Sequence, residues 1–387
     1  MKSWKRRLRM GMVGGGRGAF IGAVHRIAAV MDQQIDIVAG CFSRDLKNNR
    51  ATARDLYIDP GRCYATYQEM AKAEAKLPTD ARIDFVTIVT PNVSHYAICK
   101  AFLDAGHHVV CDKPMTYTLA EAKRLVKLVE KTKRVFALTH NYTGYPMIKH
   151  ARKLFADGTL GKVQKVLVEY LQDFFAVSPT GEVGGLNAWR FDPKQAGAAG
   201  TLGDIATHCF NLVEYVTGDP AIEVLADMNT FAPRRKLDDD ANLLLRFKGG
   251  GKGMLTVSQC AIGEENGFRL RIFASKGSVL WEQENPNYLK LYMYGKPLQT
   301  LTRANDNYMS KVSNAYCRLP KGHPEGFIEA FANLYCDIAV AVRRALDGKP
   351  MKTKEYGFPT VYDGLRGMQF ITQSLKSDAA GGVWQEM

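Results

Sequence analysis

The stretch Val13-Gly14-Gly15-Gly16-Arg17-Gly18-Ala19 decides how the amino-terminal part of this chain folds. An apolar run typical of a buried strand, residues 8–13, precedes it, and apolar residues at helical spacing follow it over 20–31. Gly14, Gly16 and Ala19 occupy the three positions of a G-x-G-x-x-A pattern. The glycines allow a tight turn and close approach of a pyrophosphate, and the small third residue lets helix and strand pack. The stretch predicts a dinucleotide site at a helix amino terminus, with a purely structural turn as the alternative.

Strand and helix patterns alternate outward from this stretch as far as about residue 140. Further strands are predicted over 35–41, 84–89 and 108–111, and helices over 67–75, 95–105 and 118–131. The last of these helices begins with a capping box formed by Thr118 and Glu121. Such alternation predicts a doubly wound parallel sheet.

The pattern changes after about residue 140. Helices are predicted over 147–156, 204–217 and 324–346, and short strands separated by glycine turns lie between 163 and 293. We therefore expect an α/β protein of two domains, the second built on one large, mostly antiparallel sheet. The boundaries are 1–140 for the dinucleotide-binding domain, with a basic tail at 1–9, and 141–387 for the second domain.

Composition limits the partners of the chain. Its net charge is +13, but apart from the tail and Arg234-Arg235-Lys236 the basic residues are dispersed and are not interleaved with aromatic residues. This favours an anionic cofactor over nucleic acid. No apolar run reaches the roughly 18 residues of a membrane helix, and no signal-peptide core follows the tail. The eight cysteines are scattered, which favours a reducing, cytoplasmic location and neither a zinc site nor a disulfide framework.

The end of the second predicted strand bears on the choice of cofactor. It reads Gly40-Cys41-Phe42-Ser43-Arg44-Asp45, and Ser43 aligns with the acidic residue that usually holds the ribose 2′-hydroxyl of NAD. A serine–arginine pair can accept a 2′-phosphate, so we expect NAD with NADP possible. Asp45 can still reach the ribose if the loop curls back. The alternative interpretation is that Arg44 only stacks on adenine or faces solvent.

Two loops follow the third and fourth predicted strands. Thr90-Pro91-Asn92 forms a rigid turn, in which Asn92 is the better candidate for the nicotinamide ribose. His95 is expected to cap or pack its helix more than to touch a ligand. Cys111-Asp112-Lys113-Pro114 places a lysine at the carboxyl edge of the sheet, where it can polarise a substrate hydroxyl. The alternative is an ordinary exposed lysine, against which Pro114 argues because it restricts the backbone.

The second half of the chain supplies an aspartate–histidine pair. Gly200-Thr201-Leu202-Gly203-Asp204-Ile205-Ala206-Thr207-His208 places Asp204 and His208 on one helix face, where a plain side-chain contact is the alternative reading. The preceding stretch, 172–200, is rich in glycine and proline and is predicted to be a substrate-side loop.

These motifs, in this order and spacing and over nearly the whole chain, resemble the Gfo/Idh/MocA family, which includes glucose–fructose oxidoreductase and inositol dehydrogenase. The resemblance implies a Rossmann domain and an α/β domain whose open sheet often mediates homo-oligomers, here a dimer or tetramer. It implies that Lys113, Asp204 and His208 are catalytic and that Arg190 contacts substrate. Asp112 replaces the usual glutamate, and His140-Asn141-Tyr142 replaces a glycine- and arginine-bearing segment. Both departures bear on sugar identity and not on class.

The candidate cofactor contacts are Gly14, Gly16, Arg17, Ala19, Phe20, Ser43, Arg44, Thr90, Pro91, Asn92, His95, Asp112 and Lys113. The candidate substrate contacts are Lys113, Asn141, Tyr142, Tyr145, Trp189, Arg190, Asp204 and His208.

The resemblance implies an NAD(P)-dependent dehydrogenase that acts on a secondary hydroxyl of a sugar, cyclitol or glycoside and requires no metal. His208 would take the hydroxyl proton, Asp204 would orient the imidazole, and Lys113 would stabilise the developing alkoxide. Two alternatives stay open. One is a glycosidase that uses NAD for transient oxidation and elimination, and the other is a non-catalytic sugar and nucleotide sensor.

Overall fold

The structure, a computed structural model, describes residues 6–176, 189–233 and 235–387. In these ranges the amino-terminal sheet has five parallel strands in the order β2-β1-β3-β4-β5. The strands are β1 (Leu8–Gly14), β2 (Ile35–Cys41), β3 (Phe85–Val89), β4 (His108–Cys111) and β5 (Phe136–Leu138). The strand order reverses beside β1, and open α/β sheets bind ligands at such a point, outside the carboxyl ends of their strands. The predicted doubly wound parallel sheet is confirmed.

The helices that connect these strands are α1 (Phe20–Met31), α2 (Leu46–Asp55), α3 (Tyr67–Lys76), α4 (His95–Asp104) and α5 (Leu119–Thr132). The predicted capping box of α5 is confirmed, since Glu121 N–H donates to Thr118 Oγ1 and Thr118 N–H donates to Glu121 Oε2, both at 3.2 Å. These bonds satisfy amides that have no partner inside the helix.

The chain divides into two units. The first holds the residues up to His140 together with Phe331–Leu365, and the second holds Asn141–Ala330 and Arg366–Met387. This division differs from the predicted boundaries in one segment, since Phe331–Leu365 groups with the first unit. This segment belongs to the first unit because its polar groups bond there. Tyr335 OH lies 2.6 Å from His25 Nδ1, and Leu138 N–H donates to Pro359 O at 2.8 Å.

The second unit is built on a sheet that has nine strands among the described residues, in the order β13-β12-β11-β10-β6-β9-β8-β7-β14. Its strands are β6 (Val163–Leu171), β7 (Ala221–Asn229), β8 (Asp240–Phe247), β9 (Lys252–Ser258), β10 (Gly267–Ala274), β11 (Gly277–Glu282), β12 (Tyr288–Met293), β13 (Gln299–Thr302) and β14 (Gln385–Glu386). Only the β6–β9 pair is parallel in this described sheet. The predicted large, mostly antiparallel sheet is confirmed.

The remaining helices are α6 (Pro146–Ala156), α7 (Pro193–Ala196), α8 (Thr207–Thr217), α9 (Lys311–Asn314), α10 (Phe327–Leu346) and α11 (Val361–Ala379). The strands of the second unit alternate between a buried and an outer face, as in β8, where Ala241, Leu243, Leu245 and Phe247 are buried. This alternation is what a sheet covered on one face requires. None of the helices in the described ranges is long and apolar enough to cross a membrane.

Burial favours the neutral form of the histidines in the first unit, and the pKa shift is largest for three of them. Burial lowers the pKa of His25 and of His108 to about 4, and that of His140 to about 3. His108 Nδ1 accepts a hydrogen bond from Val135 N–H at 2.8 Å, which requires that this nitrogen carry no proton. Histidine in an unfolded chain has a pKa near 6.5. At a pH between these lowered values and about 6.5, the unfolded state therefore binds more protons than the folded state.

We predict that acidification weakens the fold before the carboxylates titrate. The stability that these histidines contribute is complete above about pH 6.5 and is lost as the pH falls, by about 1.4 kcal/mol per pH unit for each histidine. Burial raises the pKa of Asp238 to about 6. The folded state therefore binds a proton at Asp238 before the unfolded state does. This one group opposes the effect of the three histidines as the pH falls. Urea midpoints at pH 7.5, 6.0 and 5.0 measure the effect. A midpoint that does not change across this range contradicts the prediction.

Candidate functional site

The turn after β1 depends on its glycines. Gly14 has a φ of 84°, Gly15 of 73° and Gly18 of 83°, in the left-handed region that side chains disfavour. A Cβ atom on Gly14 would lie 2.7 Å from Val89 O, and one on Gly16 would lie 2.5 Å from Asn48 Oδ1. Helix α1 follows at once, and its first turn, Phe20-Ile21-Gly22-Ala23, holds no acidic side chain. This arrangement suits an anion, because the amino end of a helix carries partial positive charge.

Helix α2, which sequence patterns did not reveal, holds this turn in place. The backbone N–H of Arg17 lies 3.0 Å from Asn48 Oδ1 and 2.9 Å from Thr52 Oγ1. The Arg17 guanidinium forms two hydrogen bonds with Asp55, Nε to Oδ2 at 2.6 Å and Nη2 to Oδ1 at 2.5 Å. Arg17 is thus bonded to α2 through both its backbone and its side chain.

The acidic residue of the loop after β2, Asp45, bonds to its own neighbours in the chain. Asp45 Oδ1 accepts a hydrogen bond from Lys47 N–H at 2.8 Å and caps α2, and Asp45 N–H donates to Ser43 Oγ at 3.1 Å. Arg44 is exposed to solvent. The end of β2 therefore presents Ser43 and Arg44, while the Asp45 carboxylate is turned toward the first turn of its own helix.

His95 joins the loops that follow β3 and β4. Its Nε2 lies 2.7 Å from Thr90 O and its Nδ1 lies 2.9 Å from Pro114 O, and the ring is buried. Both ring nitrogens thus face backbone carbonyls, which supports the packing role for His95 over a ligand contact. Asn92, in the same turn, is buried at the carboxyl edge of the sheet.

Lys113 follows β4 on a turn that Asp112 organises. Asp112 N–H donates to Ile88 O at 3.0 Å, and its Oδ1 accepts from Lys113 N–H and from Thr139 Oγ1, both at 2.9 Å. The Lys113–Pro114 peptide bond is cis. Lys113 is partly buried, and its charge adds to burial in lowering the pKa of His140. Asp112 therefore holds the backbone that carries the Lys113 ammonium group.

Asp204 and His208 lie on one helical segment of the second unit. The predicted helix is present, but Leu202–Ala206 is a π-helical turn that continues directly into α8. Such turns occur frequently at functional sites. Arg190 Nη1 lies 2.6 Å from Asp204 Oδ1, and Gln259 Nε2 donates to Asp204 Oδ2 at 3.1 Å. The Arg190 guanidinium also lies 5.0 Å from the centroid of the Trp189 ring. The structure thus brings together Trp189, Arg190 and Asp204, and it adds Gln259.

Tyr142 lies beside His208. Their rings meet edge to face with centroids 4.9 Å apart, and Tyr142 OH lies 2.5 Å from Tyr170 OH. Tyr170 OH in turn donates to Asn266 Oδ1 at 2.7 Å. Tyr142 is therefore held by the Tyr170 hydroxyl of β6, which itself bonds to Asn266 in the turn before β10. The sequence did not indicate these contacts because both residues lie far from Tyr142 along the chain.

The other two candidates near Tyr142 differ in their surroundings. Asn141 is buried, and within the described part of the chain its Nδ2 has no hydrogen-bond partner. A buried donor in this state suits a polar ligand. Tyr145 is buried against Trp281, with ring centroids 5.2 Å apart, and is part of the core.

Part of the predicted substrate-side loop and of two motifs lies outside the described residues. These are residues 177–188 of the loop, which include Asn187 and Ala188 of the segment before Arg190, and Arg234 of the basic triplet.

Comparison with known proteins covers most of the chain. Residues 8–140 match a family described as "Oxidoreductase family, NAD-binding Rossmann fold", and residues 148–280 match the "GFO/IDH/MocA C-terminal domain". The chain is 35% identical over 386 residues to "Uncharacterized oxidoreductase YfiI" of Bacillus subtilis (strain 168), which covers 98% of this chain and 96% of the relative.

Two solved structures extend this likeness. One is an inositol dehydrogenase homolog from Azotobacter vinelandii complexed with NADH and myo-inositol, with a TM-score of 0.92 and 33% identity over 99% of this chain and 98% of that one. The other is an oxidoreductase from Sinorhizobium meliloti, with a TM-score of 0.87 and 42% identity over 98% of this chain and 100% of that one.

Proposed function

Because this chain belongs to the GFO/IDH/MocA oxidoreductases, with an NAD-binding Rossmann fold, we propose that it oxidises a secondary hydroxyl of a sugar, cyclitol or glycoside. The family resemblance drawn from the motifs is confirmed. The observation that supports the substrate class most strongly is the similarity over nearly the full chain to the protein solved with NADH and myo-inositol. The scattered cysteines support the further proposal of a reducing, cytoplasmic location.

The first unit fits the cofactor. A side chain at Gly14 would clash with backbone atoms, and one at Gly16 would clash with the Asn48 side chain. Only glycine fits at these positions, which leaves the backbone at the amino end of α1 without side chains. We propose that the candidate contacts in this turn and in the loop after β3 hold the dinucleotide. When bound, NAD supplies the nicotinamide that accepts the hydride.

Three side chains are assigned to the chemistry. His208 takes the proton of the substrate hydroxyl, and Lys113 stabilises the negative charge that develops on its oxygen. Asp204 stabilises the charged form of His208. Its own carboxylate is held at both oxygens, by Arg190 and Gln259, so its direction is set before substrate binds. Such preorganisation avoids reorganisation during the reaction.

A panel of cyclitols, sugars and glycosides, followed by the absorbance of reduced cofactor, tests the proposal. We expect turnover of at least one polyol with NAD. Conversion of a glycoside without net reduced cofactor would instead indicate the redox-neutral glycosidase. Binding of cofactor and sugar without any conversion would indicate the sensor.

Lys113→Ala tests the assigned lysine. We predict a kcat lower by roughly 10²–10³, because one preorganised charge near the reacting oxygen is lost. The dissociation constant of NAD should stay within several-fold. Lys127→Ala, which removes an exposed lysine from α5, is the control and should have kinetics close to the unchanged enzyme. Near-normal turnover in Lys113→Ala would remove this residue from the mechanism.

The loop after β2 supports use of NADP beside NAD. Ser43 and Arg44 stand where a carboxylate would repel a 2′-phosphate, and Asp45 caps α2. Arginine suits phosphate because its planar fork forms two parallel hydrogen bonds. We predict a kcat/KM with NADP within about 100-fold of that with NAD, or about 2.7 kcal/mol.

Arg44→Ala should then weaken NADP use more than NAD use. Arg54→Ala, at the far end of α2 and exposed, is the control and should affect neither cofactor. Undetectable turnover with NADP, together with no effect of Arg44→Ala on either cofactor, would assign the ribose contact to Asp45.

The outer face of the second sheet supports assembly with a second copy of the chain. Leu244 pairs with Leu225 and Met254 in the strand register, and Met254 pairs with Leu167, so an apolar row crosses β7, β8, β9 and β6. Leu244 is 40% exposed and Met254 is 48% exposed. Contiguous exposed apolar surface marks interaction sites, and homo-oligomers are usually symmetric.

We predict that light scattering after size exclusion gives the mass of a dimer or tetramer. Met254→Lys should lower that mass toward one chain, because it places a charge within the apolar row. Ile262→Lys, at an apolar side chain that is 80% exposed in a turn, is the control. A monomeric parent protein, or an assembly that Met254→Lys leaves intact, would rule out this face as the interface.

A further inference from the structure

Asp238 accepts hydrogen bonds from three consecutive backbone amides at the start of the segment that carries Asp204 and His208. Gly200 N–H donates to its Oδ1 and Leu202 N–H to its Oδ2, both at 2.6 Å, and Thr201 N–H donates to its backbone carbonyl at 3.0 Å. Asp204 N–H in turn donates to Gly200 O at 2.9 Å. One residue, just before β8, thus satisfies amides that a helix start leaves without partners.

This contact accounts for the glycine at the head of the motif. A Cβ atom on Gly200 would lie 2.2 Å from Asp238 O, closer than any side chain permits. A Cβ atom on Gly203, in the same turn, would meet only Ala199 Cβ at 3.5 Å, an ordinary van der Waals distance. The two glycines therefore differ, and only Gly200 is required by the approach of Asp238.

Gln259, which directly follows β9, holds the same turn. Thr201 Oγ1 donates to Gln259 Oε1 at 2.7 Å, and Gln259 Nε2 donates to Asp204 Oδ2 at 3.1 Å. Gln259 N–H also donates to Asp239 O at 2.9 Å, which joins it to the residue next to Asp238. The adjacent ends of β8 and β9 therefore fix both the backbone of the turn and the Asp204 carboxylate.

The position at the helix start favours the ionised carboxylate of Asp238, whereas burial disfavours it. A carboxylate at the amino end of a helix is favourable because the peptide dipoles place partial positive charge there. Burial nevertheless raises the pKa of Asp238 to about 6, against the amide hydrogen bonds, which favour the ionised form. A partly buried charge with such a shift is more frequent at functional sites than elsewhere.

We propose that Asp238 is a positioning residue, whose carboxylate fixes the π-helical turn that presents Asp204 and aligns His208. The inference rests on the proposed acid–base roles of Asp204 and His208. Asp238 need not touch substrate or cofactor, since it acts through the backbone of the turn. Its loss should therefore alter the chemical step and leave cofactor binding in the first unit unchanged.

Asp238→Asn in the full chain is the test. The amide keeps the shape of the side chain but replaces one oxygen with a donor that faces a backbone N–H. We expect kcat to fall by about 10-fold, while the substrate KM and the NAD dissociation constant stay within about twofold. Amide hydrogen exchange over 199–208 should accelerate by about 3- to 30-fold, as expected for loss of a cap.

Two controls separate positioning from a general change of charge or helix content. Asp227→Asn makes the same chemical change at an exposed site on β7 and should alter neither kcat nor exchange. Gly200→Ala should reproduce the effects of Asp238→Asn because it forces the same contact apart. Gly203→Ala, which adds the same methyl group within the same turn, should leave kcat within about twofold because the space is open.

The outcomes are distinguishable. Unchanged exchange over 199–208, or a kcat within twofold of the parent enzyme, in Asp238→Asn would overturn the proposal. Equal losses in kcat and in NAD affinity would also overturn it, because they would show a general loss of folding. If His208→Asn retains full turnover, the proposed acid–base roles fail. Hydrogen exchange then still decides whether Asp238 holds the turn.

Discussion

Parallel strand pairing is the constraint on which the first unit depends. Parallel strands run in one direction, so the carboxyl ends of β1 to β4 meet at one edge of the sheet. The turns that follow are then tied to their neighbours by backbone bonds. Gly16 N–H donates to Phe42 O, and Asp112 N–H donates to Ile88 O, each at 3.0 Å. The glycine turn, the Ser43–Arg44 loop and the Lys113 turn therefore lie along the same sheet edge.

Buried or partly buried polar side chains then hold these turns in one conformation. The ring nitrogens of His95 lie within hydrogen-bond distance of the carbonyls of Thr90 and Pro114. Asn48 accepts a hydrogen bond from Arg17 N–H, and Asp112 accepts one from Lys113 N–H. Each such hydrogen bond adds only about 0.5–1.5 kcal/mol, but a buried group left without its partner costs about 1–3 kcal/mol. These hydrogen bonds therefore add little to the free energy of unfolding, but they penalise any other conformation of the turns. Polar residues near a site can serve the loops that carry the site without touching a ligand.

The second unit uses the same device on a different scaffold. Asp238 lies just before β8 and Gln259 lies just after β9, and both bond to a single helical turn. The turn is π-helical, which changes the spacing of its backbone bonds while Asp204 and His208 stay on the same segment. Outside bonds from strand ends can stabilise such a turn because they satisfy amides that the helix does not.

The sequence by itself determined the alternation of strands and helices, the order of the motifs and the family, because these depend on periodicity and on glycine spacing along the chain. Most predicted elements agree with the structure to within a few residues. Helix α2 escaped prediction because its buried residues are Asn49, Ala51, Thr52 and Ala53, which make no apolar stripe. Strand β5 escaped because it has only three residues.

Only the tertiary structure decided what each candidate residue contacts. Asp204 meets Gln259 across 55 positions of sequence, and Asp238 meets Gly200 across 38. Asp45 caps its own helix, and Phe331–Leu365 belongs to the first unit although it lies far along the chain. No local pattern encodes such pairings, because they depend on the strand register that brings distant residues to the same sheet edge. Residue types and spacing therefore predict the class of chemistry, and packing selects which polar groups hold its parts in place.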